Sequence, residues 1–279
     1  MAKRFAGQVA FITGGSSGIG AALGVAFARE GARVALASRR EDSLAEVVEA
    51  IRADGGKAIA LRCDVRDRAS LDAAVAMTLK NFGSIDVAVA NAGFGVMGPL
   101  TKLSTEDYRR QYETNVFGAI DTVYAILPHL QASRGRLGIV SSVVGKIGRP
   151  NLSAYASSKF AMCGFAESIW YELADHGVSV TCINPGVVES EFRRIDNDGN
   201  VRDEWSEPMM PMFVMSAERA AKGILRAMYR RRFEANITFH GAFGIFVNRH
   251  APWVVRMGQR ALTKGRVESF DRSAREDDD

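Results

Sequence analysis

Cysteine and histidine are scarce in this 279-residue sequence, which has three cysteines and four histidines. The cysteines are odd in number, lack the spacing of metal ligands and lie in apolar runs. We therefore expect Cys63, Cys163 and Cys182 to be buried, reduced thiols. Because the histidines are scattered as well, the sequence predicts no metal site.

Long apolar runs are also missing. The charge-free runs Val87–Thr101 and Ala235–Asn248 are shorter than the roughly 20 residues that a helix needs to cross a bilayer. No targeting segment is evident, because Met1–Arg4 lead directly into a predicted strand. These absences favour a soluble, cytoplasmic protein.

Charge of either sign is not in large excess. The 36 lysines and arginines against 32 acidic residues give a net charge of +4, whereas a nucleic-acid protein is expected to carry a concentrated basic face. Arg226 and Arg230–Arg232 form a local basic group, interpreted more simply as a solvated helix end than as a nucleic-acid contact. At 47% hydrophobic and 24% charged residues, the composition is typical of a globular enzyme.

Short apolar runs alternate with longer amphipathic runs, as in a parallel sheet covered by helices on both faces. The predicted strands are Val9–Ile12, Arg33–Ala37, Ala58–Cys63, Ile85–Ala90, Leu137–Ser142, Val178–Ile183 and Ala235–Phe239. The predicted helices are Ile19–Arg29, Glu41–Ala53, Arg68–Phe82, a long segment from Ser104 towards His129, and Ser153–Ala174. No linker interrupts this alternation, so we expect one Rossmann-like, doubly wound α/β domain over residues 1–240 and a helical extension over 241–279.

The first strand and first helix are joined by the turn Thr13–Gly20, with glycines at 14, 18 and 20. Such a turn lets the backbone approach a pyrophosphate, and the helix N-terminus supplies free N–H groups. Glycines in turns also have ordinary backbone explanations. In this position they predict a dinucleotide site that contains Gly14, Ser16, Ser17, Gly18, Ile19 and Gly20.

The second strand ends in Ser38-Arg39-Arg40. A carboxylate here would bind the adenosine ribose hydroxyls, whereas guanidinium groups suit a 2′-phosphate. The alternative is a solvated start to the next helix, with Ser38 near its cap. The sequence favours NADP(H) over NAD(H).

Tyr155 and Lys159 are four residues apart in a predicted helix, so they share one face. A neighbouring cation is expected to lower the pKa of a phenol, which can then exchange a proton with a substrate oxygen. Taken alone, this pair is common on ordinary helix surfaces.

Several motifs in one order resemble the short-chain dehydrogenase/reductase family, of the compact single-domain type. The match runs from about Gly7 to Gly186, and more loosely to about Phe239. The motifs are Thr13-Gly14, Gly18-Ile19-Gly20, Asp64-Val65, Asn91-Ala92-Gly93, Asn115, Ser142, Tyr155, Lys159 and Pro185-Gly186.

The resemblance implies hydride transfer between a nicotinamide and a carbonyl or secondary alcohol carbon. Tyr155 would exchange the proton, Lys159 would lower the phenol pKa and hold the nicotinamide ribose, and Ser142 would polarise the carbonyl. Asn115 would kink its helix and hold a relay water, and Ser141 would be structural. Read without the family, Asn115 is an ordinary solvated or capping residue.

The resemblance also implies the remaining cofactor contacts. They are Asp64 and Val65 at the adenine, Asn91, Ala92 and Gly93 along the adenosine ribose, and Pro185, Gly186, Val188 and Ser190 at the nicotinamide end. Asn91 has an alternative interpretation as a tie between strands, and Pro185-Gly186 as a plain turn. Two departures from the family pattern are Ser17, where many NADP-preferring relatives have a basic residue, and Ser190 in place of threonine.

Residues 187–215 are predicted to form a lid over the reacting carbon. This segment contains the methionines Met209, Met210, Met212 and Met215, which suit an irregular apolar ligand. We expect a bulky apolar substrate that is steroid-like, aromatic or lipid-derived. The alternative is that the methionines pack the lid on its own domain.

Two other functions stay open. A ketoreductase for carrier-bound acyl chains would need a basic rim, for which Lys146, Arg149, Arg193 and Arg194 are candidates. A non-catalytic NADP(H)-sensing protein is the other, although a sensor has no need of the full set of four catalytic residues.

The extension is predicted to contain a helix after Pro252. Its basic residues Arg249, Arg256, Arg260 and Lys264 fall near one face, and Val254, Val255, Ala261 and Leu262 fall broadly opposite. Such a helix can lie on an anionic membrane surface, but more often it covers its own domain or a second subunit. The small residues Ala156, Ala161 and Gly164 of the Ser153–Ala174 helix, together with the family's habit, favour a homo-oligomer.

Overall fold

A parallel sheet of seven strands forms the centre of the fold in the computed structural model. Its strand order is β3-β2-β1-β4-β5-β6-β7. The structure describes residues 3–190, 192, 196–197, 214–264 and 267. The predicted α/β fold with a doubly wound parallel sheet is confirmed.

The elements are bounded as follows. The strands are β1 Val9–Thr13, β2 Arg33–Ser38, β3 Lys57–Arg62, β4 Val87–Ala90, β5 Arg136–Val140, β6 Ser179–Asn184 and β7 Glu234–Asn236. The helices are α1 Gly18–Arg29, α2 Glu41–Ala53, α3 Arg68–Phe82, α4 Thr105–Tyr112, α5 Gly118–Ser133, α6 Ser153–Ala174, α7 Ala217–Tyr229, α8 Phe239–His250 and α9 Pro252–Thr263.

The sheet buries both of its faces, which explains why its strands are continuous apolar runs. Successive side chains point to opposite faces of a strand, and the two core clusters divide accordingly. Phe11 packs on one side with residues of α3, α5 and α6 such as Leu71 and Met162. Ile12 packs on the other side with residues of α1, α2 and α7 such as Phe27 and Ile224.

The predicted long helical segment from Ser104 contains one irregular turn. Ser104 caps α4 in a reciprocal capping box with Asp107. A wider π-type turn over Glu113–Phe117 then separates α4 from α5, and α5 continues to Ser133. The helical segment predicted from Ser104 towards His129 is therefore confirmed, and Asn115 lies inside the irregular turn, where the resemblance implies a kink.

The C-terminal part also differs from prediction. The seventh strand ends at Asn236, and Phe239 begins the helix α8 instead of ending a strand. Arg249 belongs to α8, so the prediction that it shares a helix face with Arg256 was wrong. The expected boundary between residues 240 and 241 lies inside α8.

All three cysteines are free and buried, as predicted. Among the described residues no helix is both long enough and apolar enough to cross a membrane, and no group of metal-ligating side chains occurs.

Parallel strands place all their carboxyl ends at one edge of the sheet. The strand order reverses direction at β1 and β4, which are hydrogen-bonded neighbours. A crevice opens outside the carboxyl ends at such a switch point, and the predicted site residues follow those ends.

Candidate active site

A cavity of about 750 Å³ runs along the carboxyl edge of the sheet. Its walls bring together nearly every residue predicted from the sequence. These are Gly14, Ser16, Ser17, Gly18, Ile19, Ser38, Arg39, Arg40, Asp64, Val65, Asn91, Ala92, Gly93, Ser142, Tyr155, Lys159, Pro185, Gly186, Val188 and Ser190. Gly20 and Asn115 do not line it, and each supports residues that do.

The glycine turn Thr13–Gly20 forms one wall of the cavity. Neighbouring atoms leave no room for a side chain at Gly14 or Gly20. Gly14 has a φ of +67°, and a Cβ there would lie 2.8 Å from Asn91 Nδ2 and 2.9 Å from Ala92 Cα. At Gly20, a Cβ would lie 2.1 Å from the carbonyl oxygen of Gly14. Gly20 therefore lets α1 pack directly against the turn, while its N-terminus faces the cavity.

A polar cluster closes the cavity at the end of β2. The Arg40 guanidinium donates to Ser17 Oγ at 2.7 Å and to Ser16 Oγ at 3.2 Å, and Ser38 Oγ donates to Ser16 Oγ at 2.8 Å. Arg39 is exposed beside them on the cavity wall. This end of the cavity thus presents hydroxyl and guanidinium groups.

Asp64 and Val65 continue that wall after β3. Val65 is buried, and the Asp64 carboxylate accepts from Arg66 at 2.6 Å. The Arg66 guanidinium is the main cause that holds the pKa of Asp64 below its usual range. Asp64 is therefore an ionised hydrogen-bond acceptor at neutral pH.

Asn91 joins two neighbouring strands. Its Nδ2 donates to the carbonyl oxygens of Thr13 at 2.9 Å and Gly14 at 3.2 Å, and its backbone N–H donates to Thr13 Oγ1. The alternative interpretation of Asn91 as a structural tie is thus confirmed. It holds the glycine turn next to Ala92 and Gly93.

Tyr155 and Ser142 meet in the buried middle of the cavity. Ser142 follows β5 and caps a short 3₁₀ turn, while Tyr155 lies in the first turn of α6. Burial raises the pKa of Tyr155 to about 12, and the neighbouring Ser142 hydroxyl opposes that rise. The prediction that Lys159 lowers this pKa below its ordinary value was wrong for this geometry, because loss of water around the phenol dominates.

Lys159 lies one helical turn after Tyr155, with its Nζ 5.8 Å from the phenol ring centroid. Its ammonium group donates to the Val140 carbonyl at 2.9 Å. Burial lowers the pKa of Lys159 to about 8. Ser141 Oγ donates to the Lys159 carbonyl at 2.8 Å, in the structural role expected of it.

Asn115 lies one layer behind the cavity. Its side-chain amide makes two hydrogen bonds with the backbone of Phe94, accepting from the N–H at 3.0 Å and donating to the carbonyl at 2.9 Å. The π-type turn of Glu113–Phe117 projects it there. It fixes the loop after β4, which forms part of the cavity wall.

The loop after β6 completes the opposite wall. Val188 forms a parallel bridge with Met215, so the two ends of the predicted lid are paired. Ser190 Oγ donates to the Val188 carbonyl at 3.4 Å. Most of that lid, with Arg193, Arg194, Met209, Met210 and Met212, lies outside the described residues.

Sequence reasoning missed several residues of the cavity. Phe192 places its ring 5.1 Å from the Tyr155 ring, and Met97, Leu152 and His240 line the same space. Asn197 is attached to one of these residues, because its amide exchanges two hydrogen bonds with the Met97 backbone. No local pattern signals these contacts, since each joins segments distant in sequence.

The residues present fit a nicotinamide dinucleotide. Close backbone approach at Gly14, a helix N-terminus and guanidinium groups lie at one end of the cavity, and the Tyr155 phenol lies towards the other. The donor set is that of a phosphate and ribose site.

Comparison with known proteins points to the same chemistry. The family model for short chain dehydrogenases matches residues 8–200. The chain belongs to the short chain dehydrogenase family. Its members are oxidoreductases, and the resemblance predicted from the sequence motifs is confirmed.

Two relatives illustrate the range of this family. The dehydrogenase is 39% identical to a short chain dehydrogenase of Pseudocercospora fijiensis, over 75% of this chain and 69% of that one. It is 31% identical to the glycine betaine reductase ATRR of Emericella nidulans, over 80% of this chain. The match spans only 18% of that much longer relative.

Two solved structures share the fold. A short chain dehydrogenase/reductase from Burkholderia phymatum in complex with NAD is 25% identical and superposes with a TM-score of 0.80, covering 90% of this chain and 96% of that one. An alcohol dehydrogenase from the archaeon Thermococcus sibiricus, complexed with 5-hydroxy-NADP, is 26% identical with a TM-score of 0.72, covering 82% and 95%. The dehydrogenase thus has an NAD(P)-binding fold.

Replacing Gly14 with alanine should weaken dinucleotide binding. The new Cβ would strain a positive φ and displace Asn91 and Ala92, so we expect the Kd for NADPH to rise about tenfold or more. Fluorescence titration measures this. Gly83→Ala is the control, because Gly83 also has a positive φ of +85° but no neighbour within 4 Å. An equal loss of affinity in both variants would contradict the role of close approach.

The lowered pKa of Lys159 predicts a pH-dependent stability. Its folded pKa of about 8 lies below the unfolded value of about 10.4, so the folded state binds fewer protons between these values. The free energy of unfolding should therefore rise by about 2 kcal/mol from pH 7 to pH 10 through this group. Urea unfolding of the wild type and of Lys159→Met measures it. The same pH dependence in both proteins would refute the assignment.

Proposed function

We propose that this short chain dehydrogenase is an NADP(H)-dependent enzyme that interconverts a carbonyl and a secondary alcohol on a bulky apolar substrate. The observation that carries the proposal is that Ser142, Tyr155 and Lys159 line one cavity, with the Lys159 Nζ 5.8 Å from the centroid of the Tyr155 ring. No other described part of the chain combines an acid, a carbonyl donor and a cation in this way.

The bound nicotinamide supplies or accepts the hydride. The protein handles the proton. Because the pKa of Tyr155 is about 12, the phenol is protonated at neutral pH and donates to the substrate oxygen during carbonyl reduction. Ser142 donates a hydrogen bond to the same oxygen, and the Lys159 ammonium stabilises the phenolate as it forms. Asn115 keeps the adjoining loop in place.

The preference for NADP(H) rests on the end of β2. Arg39 and Arg40 lie at the cavity wall with Ser17 and Ser38, and the strand ends without a carboxylate. Guanidinium groups suit a phosphate monoester. The solved relatives described above include one complex with NAD and one with 5-hydroxy-NADP, so family membership alone leaves the preference open.

The substrate side of the cavity is mainly apolar. Phe94, Met97, Val144, Leu152 and Phe192 line the cavity in addition to the residues assigned to the cofactor. Apolar walls with a few converging polar groups favour a large apolar ligand oriented by one oxygen. We infer a steroid-like, aromatic or lipid-derived ketone or alcohol.

A ketoreductase for carrier-bound acyl chains is less well supported. Of its candidate basic rim, Lys146 lies 3.5 Å from the Glu234 carboxylate, which offsets its charge. Arg149 does line the cavity, while Arg193 and Arg194 lie outside the described residues. One cation within the described rim gives an acidic carrier little to bind.

A second copy of the chain is the partner that we expect at α5 and α6. The aromatic residues Phe117, Tyr124, Phe160 and Tyr171 are 52%, 61%, 46% and 64% exposed on or beside these helices. Large exposed apolar side chains in one region indicate an interaction surface. We propose a homo-oligomer through this face.

Replacing Tyr155 with phenylalanine should abolish turnover and spare cofactor binding. The variant loses the transferable proton, so we expect kcat to fall at least about 100-fold for a panel of ketones, with the Kd for NADPH within about twofold. Tyr124→Phe, at an exposed position, is the control. Substantial turnover by Tyr155→Phe would refute the mechanism, and an inactive wild type that binds NADPH would favour the sensor alternative.

Replacing Arg39 with alanine should reduce the preference for NADPH. Loss of a charged donor to the 2′-phosphate should raise the KM for NADPH about tenfold and leave that for NADH nearly unchanged. Arg62→Ala is the matched control, because Arg62 lies on the neighbouring strand β3, directly opposite Ser38. If the KM values for both cofactors changed in parallel, the phosphate assignment would be wrong.

A further inference from the structure

The helices α8 and α9 carry an unusual share of exposed apolar surface. We call residues 239–263 the C-terminal helix pair. Its two helices contact each other, yet α8 buries only Gly241 and α9 buries no residue. A pair of helices this poorly covered lacks the apolar contacts that normally stabilise short helices.

The phenylalanines of α8 form a stripe. Phe239, Phe243 and Phe246 follow the spacing i, i+4 and i+7, which places them on one helix face. Their exposed fractions are 87%, 60% and 59%. The imidazole of His250 extends the stripe by one turn and lies 4.4 Å from the Phe246 ring.

The opposite face of α8 holds the helix against the domain. A Cβ at Gly241 would lie 2.6 Å from Val143 Cγ2, and one at Gly244 would lie 3.5 Å from Ile147 Cδ1. Asn248 Nδ2 donates to the Lys146 carbonyl at 3.1 Å. The stripe of phenylalanines therefore points away from the protein.

Helix α9 adds a second apolar group and positive charge. Trp253 and Met257 are 62% and 65% exposed, and Arg256, Arg260 and Lys264 lie within one to two turns of them along the helix. The sequence has no aspartate or glutamate from residue 235 to residue 267. The acidic residues of the C-terminal part begin after the helix pair, at Glu268. Aromatic residues flanked by cations on one helix are typical of helices at an anionic lipid interface.

We propose that the C-terminal helix pair docks on an anionic lipid bilayer, with the stripe of phenylalanines and Trp253 entering the headgroup region. Self-association explains the surface less well. A two-fold interface pairs the same patch on both subunits, and neither helix of this patch carries an acidic residue that could pair with Arg256 and Arg260. Anionic headgroups supply the missing negative charge.

Docking in this way bears on the active site. His240 and Gly241, at the start of α8, line the cavity that contains Tyr155. Membrane contact would therefore hold the mouth of this cavity near the lipid, from which an apolar substrate can enter. This last step rests on the proposed function, whereas the docking itself does not.

Vesicle flotation tests the docking with the full-length protein. We expect it to float with vesicles of equal parts phosphatidylcholine and phosphatidylglycerol, about tenfold more than with phosphatidylcholine alone, and to be released by high salt. Arg256→Gln/Arg260→Gln should lose about fivefold in affinity for each charge removed. Phe243→Ser/Phe246→Ser should lose most of the binding.

Matched controls replace similar residues elsewhere. Arg230→Gln/Arg232→Gln removes two charges from the other basic group, and Met77→Ser/Leu100→Ser removes two exposed apolar side chains. Both should bind vesicles like the wild type. If the wild type failed to float, or if the controls lost as much binding as the variants of the helix pair, the proposal would be overturned.

Two further measurements separate the alternatives. Light scattering of Phe243→Ser/Phe246→Ser measures its oligomeric state. If this variant had a lower mass than the wild type, and the wild type bound no vesicles, the surface would be assigned to a second copy of the chain. That result would overturn the proposal. NADPH oxidation with water-soluble ketones, without vesicles, should be unaffected by this variant. If the wild type floats with vesicles but does not oxidise NADPH with any of these ketones, the proposed function is refuted and the docking proposal stands.

Discussion

The site depends on the contacts that the buried Lys159 makes with the end of strand β5. The Nζ of Lys159 donates to the Val140 carbonyl at 2.9 Å, and the next residue, Ser141, donates through its Oγ to the Lys159 carbonyl. Side chain and main chain of Lys159 are thus both attached to the carboxyl end of β5. This double attachment fixes the depth and rotation of α6, and with them the position of Tyr155.

The same burial determines the acid–base character of the site. It raises the pKa of Tyr155 and lowers that of Lys159, because a medium with little water disfavours both charged forms. The phenol is thereby kept as a proton donor. A substrate oxygen that acquires negative charge would meet two hydroxyl donors and an ammonium group in surroundings where such interactions are strong.

The sequence predicted the regular part of this molecule well. The bounds of α2, α3 and α6 agree with prediction. Local signals explain two of them, because α2 is amphipathic and α3 is bounded by the capping residue Asp67 and by Gly83 in a left-handed conformation. The motif residues converge on one cavity because parallel strands bring their carboxyl ends to the same edge. Neither observation required knowledge of contacts between distant segments.

The errors have a common cause in tertiary structure. Phe239 begins a helix although its run of apolar residues also suits a strand. Phe192 and His240 reach the cavity only because the chain returns there after β6 and β7. The pKa of Tyr155 was mispredicted because spacing reveals a nearby cation but not how much water is lost.

The bridge between Val188 and Met215 allows the length of the segment between them to vary without a change in the fold. Its backbone hydrogen bonds bring the two stems of the intervening segment side by side, so the segment begins and ends at almost one point. The entropy of closing such a loop grows only slowly with its length. Insertions or deletions between the stems should therefore carry little thermodynamic cost to the sheet below.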